Sequence, residues 1–363
     1  MRTVFPILMS NLRHLCLLAC FVAPAAPQPS PEKLIEEGHW KQARAIVEQW
    51  IREKPNEPLA NFLLSQIRNA FHDRQSPLGL AENAVRLDGG VAKYHRQLAE
   101  VIGVTAQHSG MFQQLFLARR FKKEIDTAVS QDPNDLQALR DLMEFYLLAP
   151  VIAGGDKDKA RGMADRIGRM NIAEGCFALV RLAEFNNEPG KVEGLLRKAE
   201  ESQPGNYRAR IALASYYLSA AHRNYDLAAR HADEAMTIGP GRIDAYAILS
   251  AVNAAQGNWT DMEALLARAE KAVPDDLTPY YRAAEAILLS GREFPRAERL
   301  LRKYLATTPE GNAPTFSEAH WQLGLVMEKE ARRAEAIAEW SESVRLDSDS
   351  PAKRELRRLK SQN

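Results

Sequence analysis

Apolar residues recur three and four positions apart along most of the chain, in runs that stop at a glycine or a proline. The stretch 242–274 shows this most clearly, with Leu249 in its first run and Leu266 in its second. Such spacing places apolar side chains on one face of an α-helix. Gly257 separates the two runs and Pro274 closes the second, as helix-ending residues do. The pattern therefore predicts two amphipathic helices joined by a short turn, and no stretch alternates as a β-strand would.

This two-helix unit repeats along the chain. Four successive units close on prolines at positions 204, 240, 274 and 309, at spacings of 36, 34 and 35. A period of this length is typical of helical solenoids, in which each unit buries its apolar face against its neighbours. Units 91–133 and 134–171 are longer than the period requires. The repeat predicts nine units, with bounds near 31–55, 56–90, 91–133, 134–171, 172–204, 205–240, 241–274, 275–309 and 310–348.

The units carry the residue pattern of a known repeat family. The stretch 242–274 holds Leu249, Gly257, Trp259, Leu266, Ala269 and Pro274, and the last unit holds Leu323, Gly324, Ala336 and Trp340. This pattern resembles the tetratricopeptide repeat (TPR), and the chain resembles exported bacterial proteins of that family. The resemblance implies an all-α fold, a right-handed superhelical solenoid of antiparallel helix pairs with about eight to nine repeats. It also implies a concave groove that is lined by the first helix of each pair and binds a protein or peptide partner.

Aligning the units position by position gives candidate residues for this groove. They are Phe62, Gln66, Arg96, Glu100, Arg140, Glu144, Arg208, Ile211, Ser215, Arg282, Trp321 and Leu325. The arginines among them are suited to grip carboxylates of an extended peptide, although a solvated helix face would carry similar charges. Trp321 is a candidate anchor for a partner, and helix packing is the alternative role for it.

The N-terminal segment differs from the rest of the chain. The first thirty residues contain no acidic residue, and an apolar run ends in small residues at Ala25. This is typical of a secretory signal, so we expect a signal peptide at 1–25, followed by a short linker at 26–30. The run is too short to span a bilayer comfortably. Translation is expected to start at Met1 or at Met9, and the sequence leaves both open.

The residues before Cys20 resemble a bacterial lipobox, which makes lipidation of Cys20 the alternative to cleavage after Ala25. The first route predicts a lipid anchor on the envelope, and the second a periplasmic or secreted protein. Cys176 is then the one cysteine outside the signal, so no internal disulfide is expected, and its apolar surroundings favour a buried position.

Charge and motifs exclude several function classes. Lys and Arg number 48 against 47 Asp and Glu, and this balance does not favour a nucleic-acid partner. No motif indicates catalytic residues, a metal site or a cofactor site, and His222 and His231 are expected to be exposed. The basic segment 349–363 is expected to form a polar capping helix, with contact to an acidic surface as the alternative.

One connector, "LAPVIAGGDKDKA" at 148–160, suggests a phosphate-binding loop at first sight. A Walker loop needs a preceding strand and a Gly-Lys-Ser/Thr sequence, and both are missing here. We instead expect Asp156 to cap a helix. The apolar Val151 and Ile152 are expected to pack on the neighbouring unit, with contact to a partner as the alternative.

Three functions remain at the level of sequence. The first is a non-catalytic scaffold that is exported and binds a protein or peptide partner in its groove. The second is an accessory subunit of an envelope enzyme or a secretion assembly. The third is a hydrolase on a helical frame, for which no residue cluster is evident.

Overall fold

The computed structural model describes residues 29–73 and 77–360, with the side chain of Lys360 left aside. The predictions for the signal peptide, cleavage after Ala25, lipidation of Cys20 and the start at Met1 or Met9 lie outside this part of the chain. Nineteen α-helices and no β-strand are found within it. They are α1 (Pro31–Glu37), α2 (Trp40–Glu53), α3 (Pro58–Ala70), α4 (Pro77–Leu87), α5 (Ala92–Gln107), α6 (Met111–Gln131), α7 (Leu136–Leu148), α8 (Lys157–Met170), α9 (Ile172–Phe185), α10 (Val192–Ser202), α11 (Tyr207–Leu218), α12 (Tyr225–Ile238), α13 (Ile243–Gln256), α14 (Trp259–Ala272), α15 (Thr278–Ser290), α16 (Phe294–Leu305), α17 (Phe316–Lys329), α18 (Arg333–Leu346) and α19 (Ala352–Lys360).

Consecutive helices pack against each other in pairs, from α1–α2 to α17–α18, and each pair packs on the next. The prediction of an all-α solenoid of paired helices is therefore confirmed. α19 packs on α18 and buries Ala352 and Leu359. None of the helices described is both long and apolar enough to cross a membrane.

Small residues let the paired helices approach closely. In the last pair, a Cβ atom added to Gly324 would lie 2.3 Å from Nε1 of Trp340, whose side chain is fully buried. That indole N–H donates to the carbonyl oxygen of Trp321 at 3.1 Å. Glycine is thus required on α17 because the indole of α18 fills the space that a side chain would need.

The core extends along the solenoid in patches between neighbouring helices, and Cys176 belongs to it. The thiol of Cys176 is buried as expected, and burial raises its pKa. A thiol of this kind behaves as a small apolar side chain.

The extra residues of the two long units take different forms. In the first, α5 has 16 residues and α6 has 21, so this pair is longer than the others. In the second, a single 3₁₀ turn at Val151–Ala153 follows α7, and Gly154 takes φ of 102°, which favours glycine. Asp156 then caps α8 by accepting from the amides of Asp158 and Lys159, as predicted.

The expectation that Val151 and Ile152 pack on a neighbouring unit is wrong. Their side chains are 86% and 75% exposed. Ala153 is the buried residue of the turn, and Gly154 faces the ring of Phe145. The backbone therefore folds against the helices while the two larger side chains point to solvent.

The two ends of the solenoid contact each other. The backbone N–H of Lys41 on α2 donates to Oε1 of Glu310 at 2.8 Å, although the two residues are 269 positions apart. The Lys41 ammonium donates to the carbonyl oxygen of Asp275 at 2.6 Å. Asn312 also donates its backbone N–H to the carbonyl oxygen of Ala70 at 2.8 Å. The first two helix pairs are thus fastened to the segments that precede α15 and α17.

Candidate functional site

A cavity of about 920 Å³ lies where the ends of the solenoid meet. Its walls come from the first helices of three consecutive pairs, α11, α13 and α15. The end of α1, Trp40 and the segment 311–314 contribute the opposite side. The cavity therefore combines the predicted groove with a wall that the solenoid acquires by closing on itself.

Apolar side chains from the three helices form much of the lining. Ile211 and Leu218 come from α11, Ile248 from α13 and Leu289 from α15. Leu289 is 80% exposed, so most of its surface is open to solvent. This lining suits an apolar side chain of a ligand.

Polar groups stand beside the apolar lining. The guanidinium of Arg242 lies 4.0 Å from the ring centroid of Tyr207, and its buried Nε has no hydrogen-bond partner among the residues that the structure describes. The Tyr207 hydroxyl donates to Asp244 at 3.1 Å. Burial and the Asp244 charge both raise the pKa of Tyr207, so the hydroxyl stays protonated and keeps donating. The stacked ring holds Arg242 in place with unused donors.

The cavity contains one arginine that is neutralised and three that are not. Arg282 donates to Glu285 at 2.8 Å one turn away on the same helix. Arg223, Arg242 and Arg292 also line the cavity, and none has a carboxylate partner among the residues the structure describes. Arg292 donates to the carbonyl oxygen of Ala255 at 3.4 Å. Glu36, Asp244 and Asp276 line the same cavity, so these arginines with unused donors stand among acidic groups and the lining carries both signs of charge.

The contact that closes the cavity depends on a buried carboxyl group. Glu310 is 4% exposed, and its Oε1 accepts from the backbone N–H of Lys41 and of Gly311 at 2.8 and 2.9 Å. Its Oε2 is buried and has no hydrogen-bond partner within the described part of the chain. Burial raises the pKa of Glu310 to about 7, although the two backbone donors act in the opposite direction. Gly311 packs so tightly on Trp40 that an added Cβ would lie 2.6 Å from Cγ of the indole.

Three of the twelve groove residues predicted from sequence lie in this cavity. Ile211, Ser215 and Arg282 line it. Phe62 is buried in the core, where its ring centroid lies 5.2 Å from that of Tyr94. Gln66 is half-buried on α3.

Trp321 and Leu325 are half-buried on α17, where both pack against the core. The indole N–H of Trp321 is buried and has no hydrogen-bond partner among the described residues. Its packing on the core corresponds to the alternative role considered for this residue, and a binding role for it stays a prediction.

The remaining predicted residues form ion pairs within the chain. Arg96 is buried, with Nη1 3.8 Å from Glu100 and Nε 3.6 Å from Asp135. Burial raises the pKa of Glu100, although Arg96 lowers it. Glu144 accepts from Arg181 at 2.7 Å.

Arg140 and Arg208 both donate to Glu174, the latter at 2.8 Å. The guanidinium of Arg208 also lies 4.1 Å from the ring centroid of Phe177. Like Arg96 and Arg282, these arginines already have an acidic partner in the chain. A peptide carboxylate would have to compete with these internal partners.

Glu200, His231 and Glu234 place three potential metal ligands within 4.8 Å of one another. His231 is 5% exposed, so the expectation of an exposed histidine is wrong, and burial lowers its pKa. Arg210 donates to both carboxylates of this group. Because Arg210 pairs with both acids and Arg230 also pairs with Glu234, the arrangement is an ion-pair network, and we assign no metal to it.

Several residues of the site carry no signal in the repeat pattern. Arg223, Arg242 and Arg292 follow or precede the helices that carry this pattern, and Glu310 and Gly311 lie in a loop. The length of the segment 306–315 is the one sequence feature that points to this part of the site. This segment separates α16 from α17 and is longer than the turns of the neighbouring units. Its contact with α2 depends on the curvature of the whole solenoid.

Comparison with solved structures finds helical proteins with low sequence identity. One is a thermophilic TPR protein of Thermus thermophilus, with a TM-score of 0.46 and 17% identity, covering 52% of this chain and 96% of that one. Another is yeast Tom70, with a TM-score of 0.39 and 12% identity, covering 92% of this chain and 94% of that one. No protein-family model and no curated protein matches the sequence. The fold assignment rests on the paired helices described above.

Proposed function

We propose that this TPR-like solenoid is an exported, non-catalytic scaffold that holds an extended segment of a partner protein in the cavity between α11, α13 and α15. The observation that carries the proposal is the cavity itself, with about 920 Å³ of space on the first-helix side of the repeats. Pockets that bind specific ligands are concave, mostly apolar, and carry a few placed polar groups.

The lining indicates the chemistry of the segment. Leu289, Ile248 and Ile211 offer an apolar surface, and the guanidinium groups of Arg242 and Arg292 stand beside it. Arginine binds carboxylates through paired N–H donors, and the stacking of Arg242 on a ring reduces the entropy that binding would cost. The expected ligand is an extended peptide with one or two apolar side chains next to an acidic group.

A displayed peptide library tests the proposal. Peptides enriched on the wild-type protein are labelled, and their dissociation constants are measured by fluorescence anisotropy. Leu289→Asp and Ser215→Trp are expected to weaken binding about tenfold or more, because one removes apolar contact and the other fills the cavity.

Ile238→Asp is the matched control, since Ile238 is 40% exposed on α12 and does not line the cavity. Its affinity should equal that of the wild type. Equal binding by all four proteins, or a library from which no peptide is enriched, would contradict the proposal.

Export belongs to the proposal because of the N-terminal sequence. The apolar run and the small residues before position 26 support cleavage there, and Cys20 supports lipidation as the alternative. Mass spectrometry of the protein from its native cells distinguishes a chain that begins at Ala26 from one that begins at a lipid-modified Cys20. An intact N-terminus in the cytoplasmic fraction would contradict export.

A further inference from the structure

The tip of the longest helix pair exposes large apolar side chains. Met111 is 82% exposed, Phe112 93% and Phe116 66%, all near the beginning of α6. No residue of α5 or α6 lines the cavity described above. Exposed aromatic side chains that stand close together mark a surface that meets another apolar phase.

One face of α6 carries these side chains and then two cations. Phe112, Phe116, Arg119 and Lys123 are separated by four, three and four positions, so they follow one another along the same side of the helix. Phe112 and Arg119 are seven residues apart, which is about 10 Å along the axis. We call this set, together with Met111, the α6 tip surface.

The two cations of this surface are not neutralised by the chain. Arg119 and Lys123 have no ion-pair partner among residues 29–73 and 77–360, whereas their neighbours do. Arg120 pairs with Glu82, and Lys122 pairs with Asp126. Nearby Glu124 is buried against His95, with 2.7 Å between its Oε2 and Nδ1 of the imidazole. The acids around the α6 tip surface are thus already engaged, and its own charge is positive.

We propose that the α6 tip surface inserts into the surface of a membrane that contains anionic lipids. Interfacial helices bury apolar side chains about 5–10 Å into the boundary between headgroups and acyl chains. With the tip pointing into the bilayer, Met111, Phe112 and Phe116 reach that boundary. Arg119 and Lys123 then lie about 10 Å or more behind Phe112, at the depth of the lipid phosphates.

The order of the residues favours a lipid surface over a protein partner. A typical protein interface has an apolar centre surrounded by a polar rim. In the α6 tip surface the apolar residues occupy the end of the helix and the cations follow on the same face. This order matches the change from acyl chains to phosphate groups across a membrane surface. The length of α5 and α6 is consistent with this, because a longer pair projects its connecting turn beyond neighbouring pairs.

Flotation with lipid vesicles tests the proposal on the full-length protein. Vesicles of phosphatidylcholine alone are compared with vesicles that also contain phosphatidylglycerol. Wild type and variants share residues 1–28, so a difference between them reports on the α6 tip surface. The wild type is expected to bind the mixed vesicles more tightly, and added salt should weaken that binding.

Two double variants separate the apolar and the charged contributions. Phe112→Asp with Phe116→Asp is expected to reduce binding about tenfold or more to the mixed vesicles. Arg119→Glu with Lys123→Glu should reduce binding to the mixed vesicles about tenfold and leave binding to neutral vesicles unchanged. Lys198→Glu with Lys271→Glu is the matched control, since both lysines are exposed on other helices, and it should bind the mixed vesicles nearly as the wild type does.

A spectroscopic measurement shows insertion directly. A Phe112→Trp variant should gain a blue-shifted emission with the mixed vesicles, and lipids brominated in the acyl chains should quench it. Circular dichroism and melting confirm that each variant is folded. The proposal would be overturned if the wild type did not bind vesicles, or if the wild type and the phenylalanine variant bound them equally. It would also be overturned if the wild type formed a dimer that the phenylalanine variant abolishes.

Discussion

The Asp141 carboxyl group shows how single residues set the behaviour of the solenoid. Its Oδ2 is buried without a hydrogen-bond partner in the described chain. Burial raises the pKa of Asp141 to about 7, the Arg96 charge lowers it, and the Glu100 charge raises it again. The group therefore titrates near neutral pH, far above the ordinary range of an aspartate.

Replacing this carboxyl changes the pH dependence of stability. Because the folded state binds the proton more tightly than the unfolded state, the stabilisation is complete below about pH 4 and is lost as the pH rises through about 7. Asp141→Asn removes the charge. We therefore expect the free energy of unfolding of this variant to be about 1–3 kcal/mol higher than that of the wild type at pH 8. The difference should be clearly smaller at pH 5, where Asp141 is still protonated in the folded state and part of the stabilisation remains.

Urea unfolding at the two pH values measures the difference. Asp349→Asn, at an exposed aspartate, is the control and should leave the pH dependence unchanged. A wild type and an Asp141→Asn variant that differ equally at both pH values would show that Asp141 does not titrate in this range.

At the scale of elements, the connector after α7 has a backbone that packs against the helices and two large side chains that face solvent. Gly155 has no room for a side chain, since an added Cβ would lie 1.8 Å from the carbonyl oxygen of Ala149. Val151 and Ile152, by contrast, are almost fully open to solvent. The backbone of the turn therefore contributes to stability, and its two large side chains do not.

Melting temperatures test this division. Val151→Ser with Ile152→Ser should melt within about 1–2 °C of the wild type, because exposed substitutions change stability by about 0.5 kcal/mol or less. Gly155→Ala should melt several degrees lower, since the turn must shift to make room. A serine variant that loses as much stability as Gly155→Ala would show that the exposed side chains are covered in solution.

Sequence patterns predicted the helices because each depends on neighbours three and four positions away. Leu249 and Leu266 mark the two helices of their unit, and Gly257 ends the first. The same patterns could not place Val151 or His231, because burial of these side chains depends on how successive pairs stack. The repeat register places the groove arginines on their helices. Arg282 pairs with an acid on its own helix, whereas the pairing of Arg140 and Arg208 with Glu174 depends on how neighbouring helix pairs stack.

For the whole molecule, the contact between its ends matters most. Glu310 accepts two backbone hydrogen bonds, yet its pKa of about 7 means that ionising it weakens the closed arrangement. Lys41 opposes this effect and Asp276 adds to it. The stabilisation of the closed form is complete below the ordinary pKa of a glutamate, and it is lost as the pH rises through about 7.

Hydrogen exchange in α1 and α2 measures closure. After correction for intrinsic rates, the amides of these helices should exchange faster at pH 8 than at pH 5.5, and Glu310→Gln should reduce that difference. Gly311→Ala should speed exchange at both pH values, because its methyl group would displace Trp40. Gly205→Ala is the matched control, with open space around the glycine. Exchange that is insensitive to both Glu310→Gln and Gly311→Ala would contradict the role of this contact.

The closing contact also imposes an order on the synthesis of the protein. A simple repeat array can fold from its first unit onward as the chain emerges, because each unit needs only the next one. Here the contact of Lys41 cannot form until Glu310 has been synthesised, 269 residues later. At about 5–20 residues per second, the N-terminal pair spends some tens of seconds without its final neighbour. During that interval Trp40 lacks the contact that Gly311 later provides, so the nascent chain is most exposed to chaperones and to misassembly at its first pair.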